Sequence, residues 1–189
     1  MLMDIATLLP QYGVSPRGVI HAGAHDGQEI DEYLRLGFRH GVLFEPIPQL
    51  IERLEARVST IPGYRVVGAA LGAVEGRATL YTETANQGMS SSLLKPKDHL
   101  TQYPEIQFNG SLEVPVTTLS EYFKSDTITN YNFLNMDVQG FELSVLKGGI
   151  AILSGLDAIY TEVNRAELYE HCARVEQIDS FLAQFGFHR

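Results

Sequence analysis

The run Val19-Ile20-His21-Ala22-Gly23-Ala24-His25-Asp26-Gly27-Gln28-Glu29 limits the folds open to this chain more than any other stretch. An apolar segment stops at two glycines and passes directly into a helical pattern. It reads as strand, tight turn and helix. Gly23 and Gly27 carry no Cβ to hold a ligand away from the backbone, so the turn can lie against a bound molecule at the carboxyl edge of a sheet. A second apolar run, Gly41-Val42-Leu43-Phe44, ends at Glu45, 18 residues beyond Gly27. That is close to the roughly 20 residues at which an acidic side chain meets ribose hydroxyls in nucleotide-binding α/β folds.

What the turn lacks narrows its ligand. A phosphate-cradling loop carries Gly-Lys-Ser/Thr, but no Lys or Arg lies between Val19 and Arg35, whereas Asp26, Glu29, Asp31 and Glu32 do. Triphosphates are poorly served there. A nucleoside with a cationic centre suits an acidic rim, and S-adenosylmethionine is the common one. The plainer alternative is a strand-to-helix turn that needs two glycines and binds nothing. The net charge of −9 argues against nucleic acid and anionic lipid as partners. Cys172 is the single cysteine, which fits a reducing compartment. Asp4 interrupts the first apolar residues, no basic n-region precedes them, and no apolar run reaches about 18 residues. The expectation is a cytoplasmic domain without a membrane partner.

The 189 residues, 44% of them apolar, are enough for one domain with a full core. Within residues 1–16, Ile5, Leu8, Leu9 and Tyr12 recur at helical spacing until Gly13 and Pro16, giving an expected lid or packing helix. Ile30, Tyr33 and Leu34 share one face of the helix after the glycine turn, and Gly37 ends it. Pro46 keeps Glu45 extended and Pro48 opens a helix with Leu50, Ile51, Leu54 and Val58 inward. A third strand, 64–67, leads to the small residues Gly68, Ala69 and Ala70; residues 77–81 alternate like an added strand. Residues 86–110 have weak periodicity, and so long a loop reads as the cover of a site. Residues 112–116 look extended, with Pro115 pointing to an edge position, and Thr118 can cap a short helix.

Asn132-Phe133-Leu134-Asn135-Met136 is a buried strand ending at Asp137. A turn and a helix halted by Gly148-Gly149 follow. Residues 158–161 form the next strand, ending at Glu162, and a last helix covers roughly 175–185. Strands alternating with helices, with Gly23, Glu45, Asp137 and Glu162 at strand ends, imply an α/β domain. Its sheet is mostly parallel, and its site lies along the carboxyl edge.

Several motifs here carry a family likeness: the glycine turn, Phe44-Glu45-Pro46, Ala69-Ala70-Leu71-Gly72, Ser90-Ser91-Ser92-Leu93, Val114-Pro115-Val116-Thr117-Thr118-Leu119, Asp137-Val138-Gln139-Gly140-Phe141-Glu142 and Glu162-Val163-Asn164. In this order, across nearly the whole chain, they resemble the FkbM family of class I S-adenosylmethionine-dependent methyltransferases. The resemblance implies a Rossmann-like three-layer sandwich and methyl transfer to oxygen, on a hydroxyl of a sugar, glycan or polyketide-type acceptor. It places His21, Gly23, Ala24, Asp26, Gly27, Glu45, Ala70, Asp137 and Gln139 at the cofactor. Many relatives end the first strand in Asp where this chain has His21. The acidic group facing the methionine moiety must then come from elsewhere, with Asp26 and Asp137 as candidates, or be absent. Such sheets are closed by two more strands beyond the equivalent of 158–163. Their absence here implies an open edge, at which a second copy or another partner would pair or which would lower stability, unless Phe187 and its neighbours cap it.

Methyl transfer from a sulfonium depends mainly on positioning, but an alcohol still has to lose its proton. Asp137 is the first candidate for the base and Glu162 the second. The plainer reading of Asp137 is a carboxylate accepting hydrogen bonds within its turn, and of Glu142 a favourable charge in a helix's first turn. His21 and His25 straddle a strand-turn junction, so their spacing does not make the metal site of a helical His-Glu-x-x-His, and no metal is expected. Two other functions compete: a non-catalytic nucleotide-binding or interaction module, and an NAD-dependent oxidoreductase. The latter wants Gly-x-Gly-x-x-Gly, of which only Gly23 and Gly27 fit.

Overall fold

The computed structural model describes residues 4–85, 87–124 and 128–189. The first three residues of the expected helical segment 1–16, and Asn86 at the start of the expected loop, lie outside that set. Among the described residues eight strands follow in chain order: β1 (Gly18–Ala22), β2 (His40–Phe44), β3 (Tyr64–Val67), β4 (Ala70–Leu71), β5 (Gly76–Thr82), β6 (Gly110–Thr117), β7 (Phe133–Met136) and β8 (Ala158–Thr161). The α-helices are α1 (Ile5–Gln11), α2 (Ile30–Leu36), α3 (Pro48–Val58), α4 (His99–Gln102), α5 (Leu119–Tyr122), α6 (Glu142–Gly148), α7 (Ile150–Leu153) and α8 (Val175–Ala183).

Five strands form a parallel sheet in the order β3-β2-β1-β7-β8. Strand alternation sends side chains to opposite faces and so makes three layers. Ile20, Ala22, Val42, Phe44, Leu134 and Met136 pack with Leu119, Val145, Leu146, Leu153 and Ile178, from α5 to α8. Val19, Leu43 and Phe133 pack on the other face with Ile5, Leu9, Ile30, Tyr33, Leu54 and Val58, from α1 to α3. The central strands β1 and β7 are buried throughout, as expected of a parallel sheet covered on both sides. Local chemistry sets the element ends as the sequence predicts. Gly37 closes α2 at φ 95°, Pro48 opens α3, and the Thr118 hydroxyl accepts the Glu121 N–H at 3.0 Å to cap α5.

Three expectations need correction. Residues 110–117 are not an edge strand: β6 is the middle of a separate sheet, β4-β6-β5. Pro115 is tolerated because β4 pairs only with Val116 and Thr117, leaving Pro115 beyond the paired stretch on that side. The loop expected over 86–110 divides in two. Its second half docks on residues 167–170, with the N–H groups of Lys97 and His99 donating to the Leu168 carbonyl and that of Glu170 to the Lys95 carbonyl. A short helix, α7, follows the Gly148-Gly149 stop where none was foreseen.

β8 ends the sheet with no strand paired on its outer side among the described residues. Ile159 nonetheless packs on the same apolar cluster as Phe181, Phe185 and Phe187. No helix among the described residues is long and apolar enough to cross a membrane.

Candidate active site

A cleft of about 670 Å³ opens at the carboxyl edge of the parallel sheet. The floor is made where β1 and β7 end. Gly23 adopts φ +77°, and a Cβ there would collide with the Asp137 carbonyl oxygen, so its bare backbone lets the two strand ends close together. The Gly23 and Ala24 N–H groups both donate to the Phe44 carbonyl at 3.0 Å, which ties in the end of β2. Gly27, at φ +78°, meets a different need. A Cβ there would strike Ile30 and Leu54, so this glycine lets α2 and α3 pack.

Of the residues expected at the cofactor, His21, Gly23, Ala24, Glu45, Ala70, Asp137 and Gln139 line the cleft, as does Glu162. Asp26 and Gly27 do not. Asp26 turns its Oδ1 to His25 Nδ1 at 3.4 Å.

Glu45 is nearly sealed, at 4% exposure. Its Oε2 accepts the His25 N–H and its Oε1 the Ile47 N–H, both at 2.9 Å, which fixes the carboxylate while each oxygen keeps a lone pair. Burial pushes its pKa up to about 7, against the pull of those two donors. Around it Ile47, Leu50, Ala69, Ala70 and Leu80 make an apolar wall.

At the far end stand Asp137 and Glu162. Asp137 is open to the cleft, yet enough protein surrounds it that desolvation raises its pKa, and its Oδ1 accepts Gln139 Nε2 at 2.6 Å. Gln139 is held in turn. Its backbone carbonyl accepts the Ser92 hydroxyl at 2.7 Å, and its Oε1 lies 3.0 Å from the Tyr169 hydroxyl, which is also 2.9 Å from the Ser90 carbonyl. The serine run thus fastens the first half of the long loop to the Asp137 turn. Residues 88–93 line the cleft. Glu162 is exposed, and burial of its surroundings together with repulsion from Asp137 raises its pKa.

His21 does not supply the missing charge. It is buried beneath the cleft, with Nδ1 3.2 Å from the Tyr33 hydroxyl and Nε2 3.3 Å from Asn135 Nδ2, and burial pushes its pKa down to about 3. It is therefore neutral at pH 7. Tyr33 reads as core in the sequence and is core, but its hydroxyl belongs to this polar triad.

The sequence also missed the part of His25 and the strain at the site. His25, Gln87 and Gln139 are non-glycine residues at φ 49°, 56° and 52°, and His25 Nε2 lies 2.9 Å from the Gln87 carbonyl. Left-handed backbone at non-glycine residues persists where the surroundings over-determine it, and three of the four such residues among those described stand at the cleft rim, the fourth being His171 at φ 61°. No signal in the sequence marks such residues. Among the described residues no three His, Cys, Asp or Glu side chains converge to hold a metal.

A parallel sheet in this order, with a glycine turn, an acidic residue after β2 and carboxylates after β7 and β8, is a Rossmann-like domain of the class I methyltransferase type. Residues 21–189 match the methyltransferase FkbM domain, and the chain belongs to that family. It is 27% identical over 173 residues to the 2-O-methyltransferase NoeI of Sinorhizobium fredii, covering 88% of this chain and 71% of that protein. Its fold matches the crystal structure of a methyltransferase FkbM from Methylobacillus flagellatus with a TM-score of 0.58, at 15% identity over 96% of this chain. This chain spans 42% of that solved protein.

Proposed function

We propose that this domain is an S-adenosylmethionine-dependent O-methyltransferase acting on a hydroxyl of a sugar, glycan or polyketide-type acceptor. The observation that carries the reading is the charge of the cleft. Asp4, Glu29, Glu32, Glu45, Asp137 and Glu162 line it, and its one Lys or Arg side chain, Arg35, is already doubly bonded to Glu32. Such a lining repels phosphates and attracts a sulfonium nucleoside. The donor set fits that cofactor: Glu45 retains lone pairs for two ribose hydroxyls, and the apolar wall beside Ala70 suits a flat base. The name of the Sinorhizobium relative supports oxygen as the methyl acceptor.

When bound, the cofactor supplies a methyl group on an already activated leaving group. The chain's share is to orient the acceptor, exclude water and take the hydroxyl proton. Two observations support Asp137 for that last step: its Oδ1 is held by Gln139, and its raised pKa brings its proton affinity nearer neutrality. Glu162, across the same end of the cleft, can orient the acceptor's other hydroxyls.

Calorimetry tests the reading. The chain should bind S-adenosylmethionine and S-adenosylhomocysteine but not NAD. Glu45→Ala should weaken both by roughly 10- to 100-fold, the worth of a charge-assisted hydrogen bond of about 1.5–3 kcal/mol. Methyl transfer to a panel of neutral glycans and polyols should then report the acceptor. Binding of NAD in preference to the sulfonium nucleoside overturns the proposal.

A further inference from the structure

The carboxylates of the cleft are not equally free. Asp4 caps α1, accepting the Ala6 N–H at 3.0 Å and the Thr7 hydroxyl at 2.6 Å. Glu32 is taken by Arg35, Glu45 by two backbone N–H groups, and one oxygen of Asp137 by Gln139. Glu162 has no donor among the described residues, but it is exposed and stands beside Asp137 at the far end. Glu29 differs. It stands at the start of α2, partly buried, and among the described residues its carboxylate meets no donor but its own backbone N–H and no cation in an ion pair. Desolvation raises its pKa, with repulsion from Asp137 and Asp26 in the same direction and its own backbone N–H and His25 opposing.

An unpaired carboxylate lining a cleft beside another carboxylate calls for a cation. The cleft is also polarised along its length. The wall near Glu45 and Ala70 is apolar, whereas His21, Gln28, Glu29 and Asn135 make the opposite stretch polar. A sulfonium nucleoside is asymmetric in the same sense, with a flat base at one end and a zwitterionic amino acid at the other. Resting on the methyltransferase reading, we infer that Glu29 binds the α-ammonium group of the cofactor's methionine end. It thereby provides the negative charge that neutral His21 cannot supply. Asp26, a candidate by sequence, is not part of the cleft lining and has its Oδ1 3.4 Å from His25 Nδ1, and Asp137 is left to the acceptor.

Two ligands separate this assignment from the reading beneath it. S-adenosylhomocysteine carries the amino-acid end, and 5′-methylthioadenosine lacks it. By calorimetry, Glu29→Gln should weaken S-adenosylhomocysteine tenfold or more while leaving methylthioadenosine within twofold of wild type, so the second ligand also reports an intact fold. Asp31→Asn removes a charge from the same helical turn outside the lining, where it pairs with Arg57 at 3.0 Å, and should change neither affinity. If Glu29→Gln weakens both ligands equally, or neither, the Glu29 assignment falls while the cofactor reading stands. If the wild-type chain binds neither ligand, both fall.

Discussion

The two ends of the parallel sheet treat their polar groups in opposite ways. At the amino end, Asn132 is fully buried and fully bonded. Its Oδ1 accepts the Arg17 N–H at 2.9 Å, and its Nδ2 donates to the Ser15 carbonyl at 2.9 Å and to Asp157 Oδ2 at 2.7 Å. Asp157 also meets Arg17 at 3.6 Å. At the carboxyl end, Glu29, Glu45, Asp137, Glu142 and Glu162 gather without a Lys or Arg partner among the described residues, and burial raises the pKa of each. The same strands hold both ends, so the difference is not one of scaffold. Polar satisfaction at one end stabilises the fold, and on the function proposed above the charge left without a cation at the other is kept for a ligand.

The comparison is broken most directly by removing the charge at Asp137. Asp137→Asn keeps the shape and an acceptor but not the proton affinity, so turnover should fall by roughly 10²-fold or more while cofactor affinity and melting temperature stay near wild type. Turnover at the wild-type level would make Asp137 a turn residue like those of the amino end.

The converse change is Asn132→Ala. It leaves the Arg17 N–H and the Ser15 carbonyl without their partner, empties a buried position and loosens Asp157, at a cost of about 2 kcal/mol, or roughly 4–8 °C in melting temperature for a chain of this size. Cofactor affinity should not move. A variant that melts normally but binds poorly would mean that the two ends are coupled rather than divided.

How much of this division the sequence showed depends on the physical origin of each feature. Glu45, Asp137 and Glu162 were legible because each follows an apolar run, and a residue just past a parallel strand lies at the carboxyl edge whatever the rest of the chain does. Asn132 begins such a run and looked unremarkable, since its value lies in closing on Ser15 and Arg17, over a hundred residues earlier. Tyr169 reaches Gln139 from a segment without periodicity, and the left-handed His25 and Gln139 are set by tertiary closure. Pro115 misled for a related reason: proline forbids a strand pair only where one is attempted, and β4 is too short to attempt it. Glu29 and Asp26 lie three residues apart in one acidic stretch, and only the trace of the turn separates the one that lines the cleft.

The smallest expected effect concerns Glu142, which sits beneath the acidic end of the cleft. It is wholly buried; its Oε1 accepts the Gly140 N–H at 3.0 Å and its Oε2 has no partner among the described residues. Burial pushes its pKa up to about 7, with repulsion from Asp137 and Glu162 in the same direction and the Gly140 N–H opposing. Below the unfolded value of about 4.5 the group is neutral in both states and costs nothing. As pH rises toward 7 the unfolded chain releases this proton while the folded chain retains it, so stability is lost across that window and the loss is complete above it. Glu45 acts with the same sign, but Glu142→Gln removes only the share of Glu142. Relative to wild type, the variant should therefore gain on the order of 1 kcal/mol between pH 5 and pH 8, roughly 2–4 °C in melting temperature. Parallel melting curves across that range would show that Glu142 ionises in the folded protein as it does in the unfolded chain, and that the buried layer beneath the cleft tolerates an anion as well as the open layer above it does.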